Sequence, residues 1–296
     1  MKCGFVSLVG RPNVGKSSLL NSILGMKLAI TSDVSGTTRN VIQGIYNDDD
    51  SQIIFVDTPG VHKPKNKLGN LMNKKAYNNT EGVDIILFLI DISKGFGKGD
   101  QFILDKIKDK NIPIFLLLNK IDLVKNKEKL LKDIDELKDL YDFDEIIPIS
   151  ATKKDNIDLL IDCIKNRLDE SEAIYSEEEL TNVTTRFIMA EFVREKVLEL
   201  THDEIPHTVT CYVENYEEEK DFVHIQVLIV VDRDNIKKII IGKQGSMLKE
   251  IGTRARKDME NFLGKKVYLE TYVKTLKNWR DQEKYFLELG LKDEDE

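Results

Sequence analysis

The chain has 296 residues, with 44 Lys and Arg against 52 Asp and Glu and a formal net charge of −8. That length suggests about two domains, each able to bury a core, and the acidic balance opposes nucleic-acid binding over the whole surface but not through a local basic face. Cys3, Cys163 and Cys211 are scattered and form no C-x-x-C pair, which excludes a disulfide framework or zinc cluster and fits a reducing cytoplasm. The longest apolar run, Ile85–Ile90, falls far short of the ~20 residues a membrane helix needs.

In chain order, the apolar strand Phe5–Val9 runs into Gly10-Arg11-Pro12-Asn13-Val14-Gly15-Lys16-Ser17-Ser18 and then a helix-forming stretch. A G-x-x-x-x-G-K-[ST] loop between strand and helix cradles phosphates. Backbone N–H groups and the helix dipole face the anion, Lys16 bridges β- and γ-oxygens, and the Ser17 hydroxyl suits Mg²⁺. A nucleoside triphosphate is therefore expected. Gly36-Thr37-Thr38-Arg39 follows as a loose, switch-like loop. Val41–Tyr46 and Ile53–Val56, joined by an acidic turn, read as a hairpin adding one antiparallel strand. Asp57-Thr58-Pro59-Gly60 ends that hairpin, with a carboxylate placed to hold a Mg²⁺ water and a glycine N–H placed for a γ-phosphate. Strands Ile85–Ile90 and Ile112–Leu118 come next, the second ending in Asn119-Lys120-Ile121-Asp122. An ionised Asp122 accepts hydrogen bonds only, so it matches the N1–H and 2-amino donors of guanine, neither of which adenine offers at that edge. A charged helical stretch, Lys125–Leu140, separates this from the strand Ile146–Ile149 and from Ser150-Ala151-Thr152, placed to support the base near O6. Near-continuous apolar strands alternating with helices read as α/β, a six-stranded mixed, mostly parallel sheet with ligand loops at its carboxyl ends.

A helix at Asp155–Leu168 closes this unit, and the acidic stretch after it lacks any strand pattern and reads as a linker. Beyond come an amphipathic helix near Arg186–Leu200, strands near Thr208–Asn215 and Phe222–Val231, a helix–turn–helix over Ile236–Leu263, a strand at Lys266–Val273 and a short helix around Trp279. The expected division is 1–170, a linker at 171–184, an α+β module at 185–290 and an acidic tail at 291–296. In the second module Gly242-Lys243-Gln244-Gly245 places a G-x-x-G loop between two helical segments, where a nucleic-acid backbone meets no β-carbon. From Arg233 to Lys266 there are ten Lys or Arg against four Asp or Glu, a local basic patch.

With all its nucleotide motifs in order, the first module resembles Ras-like GTPases of the translation-factor class. That resemblance implies GTP and GDP as ligands and a threonine completing the Mg²⁺ shell, for which Thr38 is favoured over Thr37. Where Ras-type enzymes carry a water-orienting glutamine after D-x-x-G, this chain has Val61. The hydrophobic-residue subgroup, some of whose members recruit K⁺ through the phosphate-loop asparagine, makes Asn13 a candidate K⁺ ligand. His62 is read as a bystander. The span from Ile240 through Glu260 resembles a type II KH domain, and the order of modules, the Asp57–Lys65 run and the Lys277–Arg280 ending resemble the Era family of bacterial ribosome-assembly GTPases. The family implies binding to the 3′ end of 16S ribosomal RNA, action in maturation of the 30S subunit, and peripheral membrane contact in some members. A monomer without an obligate protein partner is expected. By the same resemblance Gly242, Lys243, Gln244 and Gly245 touch the RNA backbone, Ile241 lines the groove, and Lys249, Arg254 and Lys257 assist electrostatically. Two rivals are a nucleotide-bound RNA scaffold without turnover and a tRNA-modification GTPase, which shares Asn13 and the Gly-Thr-Thr-Arg loop but has no C-terminal KH module.

Overall fold

A computed structural model describes residues 1–61, 63–64 and 66–291. The expectations for His62 and for the tail from Lys292 onward lie outside the described residues. Two compact units emerge, one of Met1–Ala29, Ser35–Lys63 and Leu71–Asn182, the other of Ile30–Val34, Pro64–Asn70 and the chain from Val183.

The first half runs β1 (Lys2–Gly10), α1 (Lys16–Leu24), β2 (Ile42–Asn47), β3 (Ser51–Asp57), α2 (Lys67–Asn78), β4 (Ile85–Asp91), α3 (Lys98–Ile107), β5 (Ile114–Asn119), α4 (Lys127–Lys138), β6 (Glu145–Pro148) and α5 (Ile157–Arg167). The sheet order is β2-β3-β1-β4-β5-β6, with only β2 antiparallel to its neighbour. Every residue of β3, β4 and β5 is buried, as expected where helices cover both faces of a parallel sheet. The chain leaves β1 for β3 on one side and later for β4 on the other, so a crevice opens at the carboxyl end of β1.

The stretch expected as a linker is laced to this sheet as far as Asn182. The Gln52 amide donates to the Tyr175 carbonyl at 2.9 Å and accepts from the Ile174 and Tyr175 N–H groups at 2.7 and 2.9 Å. Ile45 N–H donates to the Leu180 carbonyl, and the Thr181 hydroxyl to that of Gln43. The acidic segment thereby covers the open edge of β2 by backbone pairing, which needs no strand-like side-chain pattern.

The second unit contains α6 (Thr185–Leu200), α7 (Ile205–Thr208), β7 (Thr210–Glu218), β8 (Phe222–Val231), α8 (Asp234–Ile241), α9 (Ser246–Leu263), β9 (Lys266–Thr275) and α10 (Lys284–Glu288). β8 lies between an antiparallel β7 and a parallel β9, the parallel pair being joined by the α8–α9 crossover. Helix α6 departs from the amphipathic expectation, since every residue from Ile188 to Leu198 is buried. Its charges go inside because they are paired. Arg194 Nε donates to Glu191 at 2.7 Å, and Lys196 Nζ lies 2.8–2.9 Å from Glu195, Glu199 and, on α9, Asp258. Trp279 occupies a 3₁₀ turn rather than an α-helix, with α10 following it; the buried indole N–H donates to the Thr208 carbonyl at 2.8 Å.

Candidate nucleotide site and nucleic-acid groove

Between Gly10 and Lys16 the backbone must turn sharply enough to aim successive N–H groups at one point. Asn13 and Gly15 do this in the left-handed region, at φ 64° and 102°. At Gly15 a side chain is also sterically excluded, because a Cβ would sit 2.2 Å from Nδ2 of Asn119. Lys16 opens α1 with its ammonium folded over the loop, 3.2 and 3.1 Å from the carbonyls of Gly10 and Arg11. Burial pulls its pKa down to about 8 against the opposing pull of Asp57, so a phosphate there would meet a poorly solvated cation. Arg11 turns away: its Nε bonds Oδ1 of the buried Asp100 on α3 at 2.8 Å, and Asp100 Oδ2 accepts from Gly97 N–H. Only the Arg11 backbone serves the loop.

Beside Lys16 the chain assembles three oxygen ligands. The Ser17 hydroxyl donates to Asp57 Oδ2 at 2.7 Å and lies 2.9 Å from Thr38 Oγ1. Asp57 is fully buried and its other oxygen, Oδ1, has no hydrogen-bond partner. Desolvation lifts this carboxyl to about 6, even with Lys16 and Ser17 opposing. Two hydroxyls and an under-satisfied carboxylate form a hard oxygen set that fits Mg²⁺ with its retained waters. Thr38 joins that set through its side chain, whereas Thr37 is buried between Gly36 and Thr38. The Thr58 hydroxyl is spent on the Leu8 carbonyl. Val61, 4% exposed, packs into the core with Val9, Ala76, Ile86 and Phe88.

The base-side loops are tied to the phosphate loop. Asn119 Nδ2 donates to the Val14 carbonyl at 2.8 Å, while its Oδ1 accepts from the N–H groups of Lys120 and Ala151. Lys120 Nζ reaches the Asn13 carbonyl at 2.7 Å and Asp91 Oδ2 at 2.9 Å. Asp122, exposed at the mouth, is held by the Ser150 hydroxyl at 2.6 Å, which in turn lies 3.4 Å from that of Thr152.

In the second unit α8 stops at Ile241 because Gly242 adopts φ 72°, where a Cβ would also come 2.8 Å from the Met247 nitrogen. Gln244 and Gly245 are left-handed as well, and Lys243 and Gln244 are exposed. From this loop a groove of about 610 Å³ runs between α9 and β9, lined among others by Gly245, Lys249, Thr253, Arg256, Tyr268 and Thr271.

Comparison with known proteins finds a family for each unit. The family described as 50S ribosome-binding GTPase matches residues 5–120, and the KH domain family matches residues 204–280. A structure of Aquifex aeolicus Era bound to GDP·AlF₄⁻ superposes with a TM-score of 0.95 at 41% identity, covering 98% of this chain and 99% of that one. The chain belongs to the Era family of GTPases. A structure of Era with MgGDPNP and nucleotides 1506–1542 of 16S ribosomal RNA gives the same 0.95, 41%, 98% and 99%.

Within this Era-type framework the residues expected at the RNA face sit in different places. Arg254 is paired with Glu250 at 2.7 Å and is not among the residues lining this groove, whereas Arg256, 4.0 Å from Glu260, is. Lys257 is exposed and Ile241 half-buried, and neither is among the groove-lining residues. The helical spacing from Gly245 through Lys249, Gly252, Thr253 and Arg256 identifies the facing stripe, a signal present in the sequence. Asp91 and Asp100 were also missed. Burial works to raise the Asp91 carboxyl, but hydrogen bonds from Ser93 and Lys120 hold it below the usual range, which keeps it anionic to orient Lys120. Its position ending an apolar strand, like Asp57 and Asn119, was the available clue.

Proposed function

We propose that this Era-family GTPase binds GTP with Mg²⁺ in the first unit, hydrolyses it, and uses the nucleotide state to regulate binding of the 3′ end of 16S ribosomal RNA in the KH groove during maturation of the 30S subunit. The observation that carries the reading is the convergence of Ser17, Thr38 and Asp57 beside Lys16, because Thr38 comes from a loop and its hydroxyl can join the metal shell only while that loop is closed. The unpartnered Asp57 Oδ1 supports a metal water at that point. Asn119, Lys120 and Asp122 hold the base, with Ser150, Ala151 and Thr152 behind it, while Lys16, Gly60 and the start of α1 oppose the charge that builds on the phosphates. Bound Mg²⁺ would supply further charge neutralisation there. With Val61 committed to the core, no side chain at that position orients the attacking water, so slow intrinsic turnover, raised by K⁺ near Asn13, is part of the proposal.

Residues 1–170 act as the nucleotide module, carrying 171–182 along the sheet edge, and 185–290 as the RNA module. Gly242, Lys243, Gln244 and Gly245 hold the RNA backbone, with Lys249 as electrostatic support. No described helix is long and apolar enough to cross a membrane; action in the cytoplasm, with peripheral contact at the inner membrane face, belongs to the same reading. The test is RNA binding to the 1506–1542 sequence with GDP and with a non-hydrolysable GTP analogue, paired with steady-state phosphate release. Nucleotide-dependent RNA affinity with turnover is expected. Binding indifferent to nucleotide, without phosphate release, would favour an RNA scaffold. GTPase rates equal in K⁺ and Na⁺, with no loss in Asn13→Ala, would remove K⁺ from the scheme.

A further inference from the structure

The groove along α9 continues beyond its first cavity. A second cavity of about 790 Å³ continues past the first, sharing Arg256, Val267 and Tyr268 with it and reaching Gly264, Lys265 and Lys266. At the junction stands Tyr268, 54% exposed. Its ring stacks on His224 of the neighbouring strand, with centroids 4.9 Å apart and planes 17° apart, and Phe222 closes the cluster edge-on at 5.3–5.4 Å from both. A cross-strand aromatic group is ordinary where a partner covers it. This one instead lines the same groove as Arg256, whose guanidinium lies 4.0 Å from Glu260. Glu270 accepts from Gln226 and Tyr272, and Glu260 accepts from the Val267 N–H.

We infer that Tyr268, backed by His224 and Phe222, is a stacking platform for an unpaired base of the RNA strand leaving the KH groove, with Arg256 and Lys266 holding its flanking phosphates in the second cavity. The chemistry is that of single-strand binding surfaces, where every base offers a π-face and cationic side chains track the backbone. The inference rests on the KH reading of the G-x-x-G loop and extends it by at least one nucleotide.

The test uses the full chain and fluorescence anisotropy with the 1506–1542 RNA, single abasic replacements along its single-stranded part, and truncations from each end. Tyr268→Ala should weaken the intact RNA about tenfold, while Tyr268→Phe and Tyr268→Trp bind as well as the native chain or better. One abasic position should lose the same factor and be insensitive to Tyr268→Ala. Because Tyr268 is more than half exposed, these variants should fold normally, which circular dichroism checks. If Tyr268→Ala binds every RNA like the native chain, or loses equally at every abasic position, the platform is wrong and the KH reading stands. If Gln244→Asp with Ser246→Asp leaves binding unchanged, the KH reading fails and the platform with it.

Discussion

Gly15→Ala tests whether the phosphate loop and the guanine loop are mechanically one site. Two costs arise at once. An alanine at φ 102° is strained, by about 1–2 kcal/mol, and its Cβ would overlap Asn119 Nδ2 at 2.2 Å. The overlap is relieved only if Asn119 swings away, giving up its 2.8 Å bond to the Val14 carbonyl and its 3.1 Å bond from Ala151 N–H. Each lost bond contributes about 1 kcal/mol, more if a buried group is stranded. The sum, about 3–4 kcal/mol, predicts a weakening of GDP binding of roughly 100- to 1,000-fold. Isothermal titration calorimetry at fixed Mg²⁺ measures it. Asn119→Ala alone gives up those two bonds and the one its Oδ1 accepts from Lys120 N–H, so the two effects should overlap and the double variant should fall well short of their product. If the two effects simply multiply, or if Gly15→Ala binds GDP within threefold of the native chain, the steric link between the loops is wrong.

Other outcomes follow from the same geometry. Thr38→Ala should abolish the advantage that Mg²⁺ gives to GTP over GDP binding, and Thr37→Ala should not, as nucleotide titrations with and without EDTA will register; the reverse pattern would exchange the two threonines. Val61→Gln should not raise kcat, because the side chain occupies the core, and the buried amide should lower stability by about 1–3 kcal/mol; a faster enzyme would contradict this. Trp279→Phe leaves the Thr208 carbonyl without its donor and should cost about 1–2 kcal/mol in denaturant unfolding followed by circular dichroism; a change within experimental scatter would refute the role of that bond. Arg256→Ala should weaken RNA binding and reduce the slope of log affinity against log salt by about 1, whereas Arg254→Ala should leave it unchanged; equal slopes would return Arg254 to the RNA face.

The candidate nucleotide site was legible because its chemistry is local: eight consecutive residues, Gly10 to Ser17, and three strand-ending motifs narrow what can bind, and the sheet needs only apolar runs of the right length. What the sequence hid depends on partners far along the chain. Arg11 reads as a phosphate ligand until Asp100, on α3, is seen to hold its guanidinium. The four charges from Glu191 to Lys196 read as a solvent face until Asp258 and the neighbouring carboxylates enclose them. The acidic segment after Asp169 reads as free chain because its pairing with β2 runs through the backbone, which leaves no trace in side-chain periodicity.

Lys120 shows why these long-range contacts bear on function. Its ammonium joins the Asn13 carbonyl to Asp91, and Asn119 joins Val14 to Ala151, so residues from the ends of β4, β5 and β6 all pull on the loop that follows β1. A guanine that improves the seating of the Asn119–Asp122 loop therefore also stiffens the carbonyls of Asn13 and Val14, and with them the direction of the N–H groups that meet the phosphates. Base recognition and phosphate geometry are then coupled rather than additive. A ligand carrying both parts should bind more tightly than the product of the affinities of guanosine and of inorganic diphosphate implies, beyond the gain from tethering alone, and Lys120→Met should remove that excess. If Lys120→Met weakens guanosine and GDP by the same factor, the ties only brace the fold.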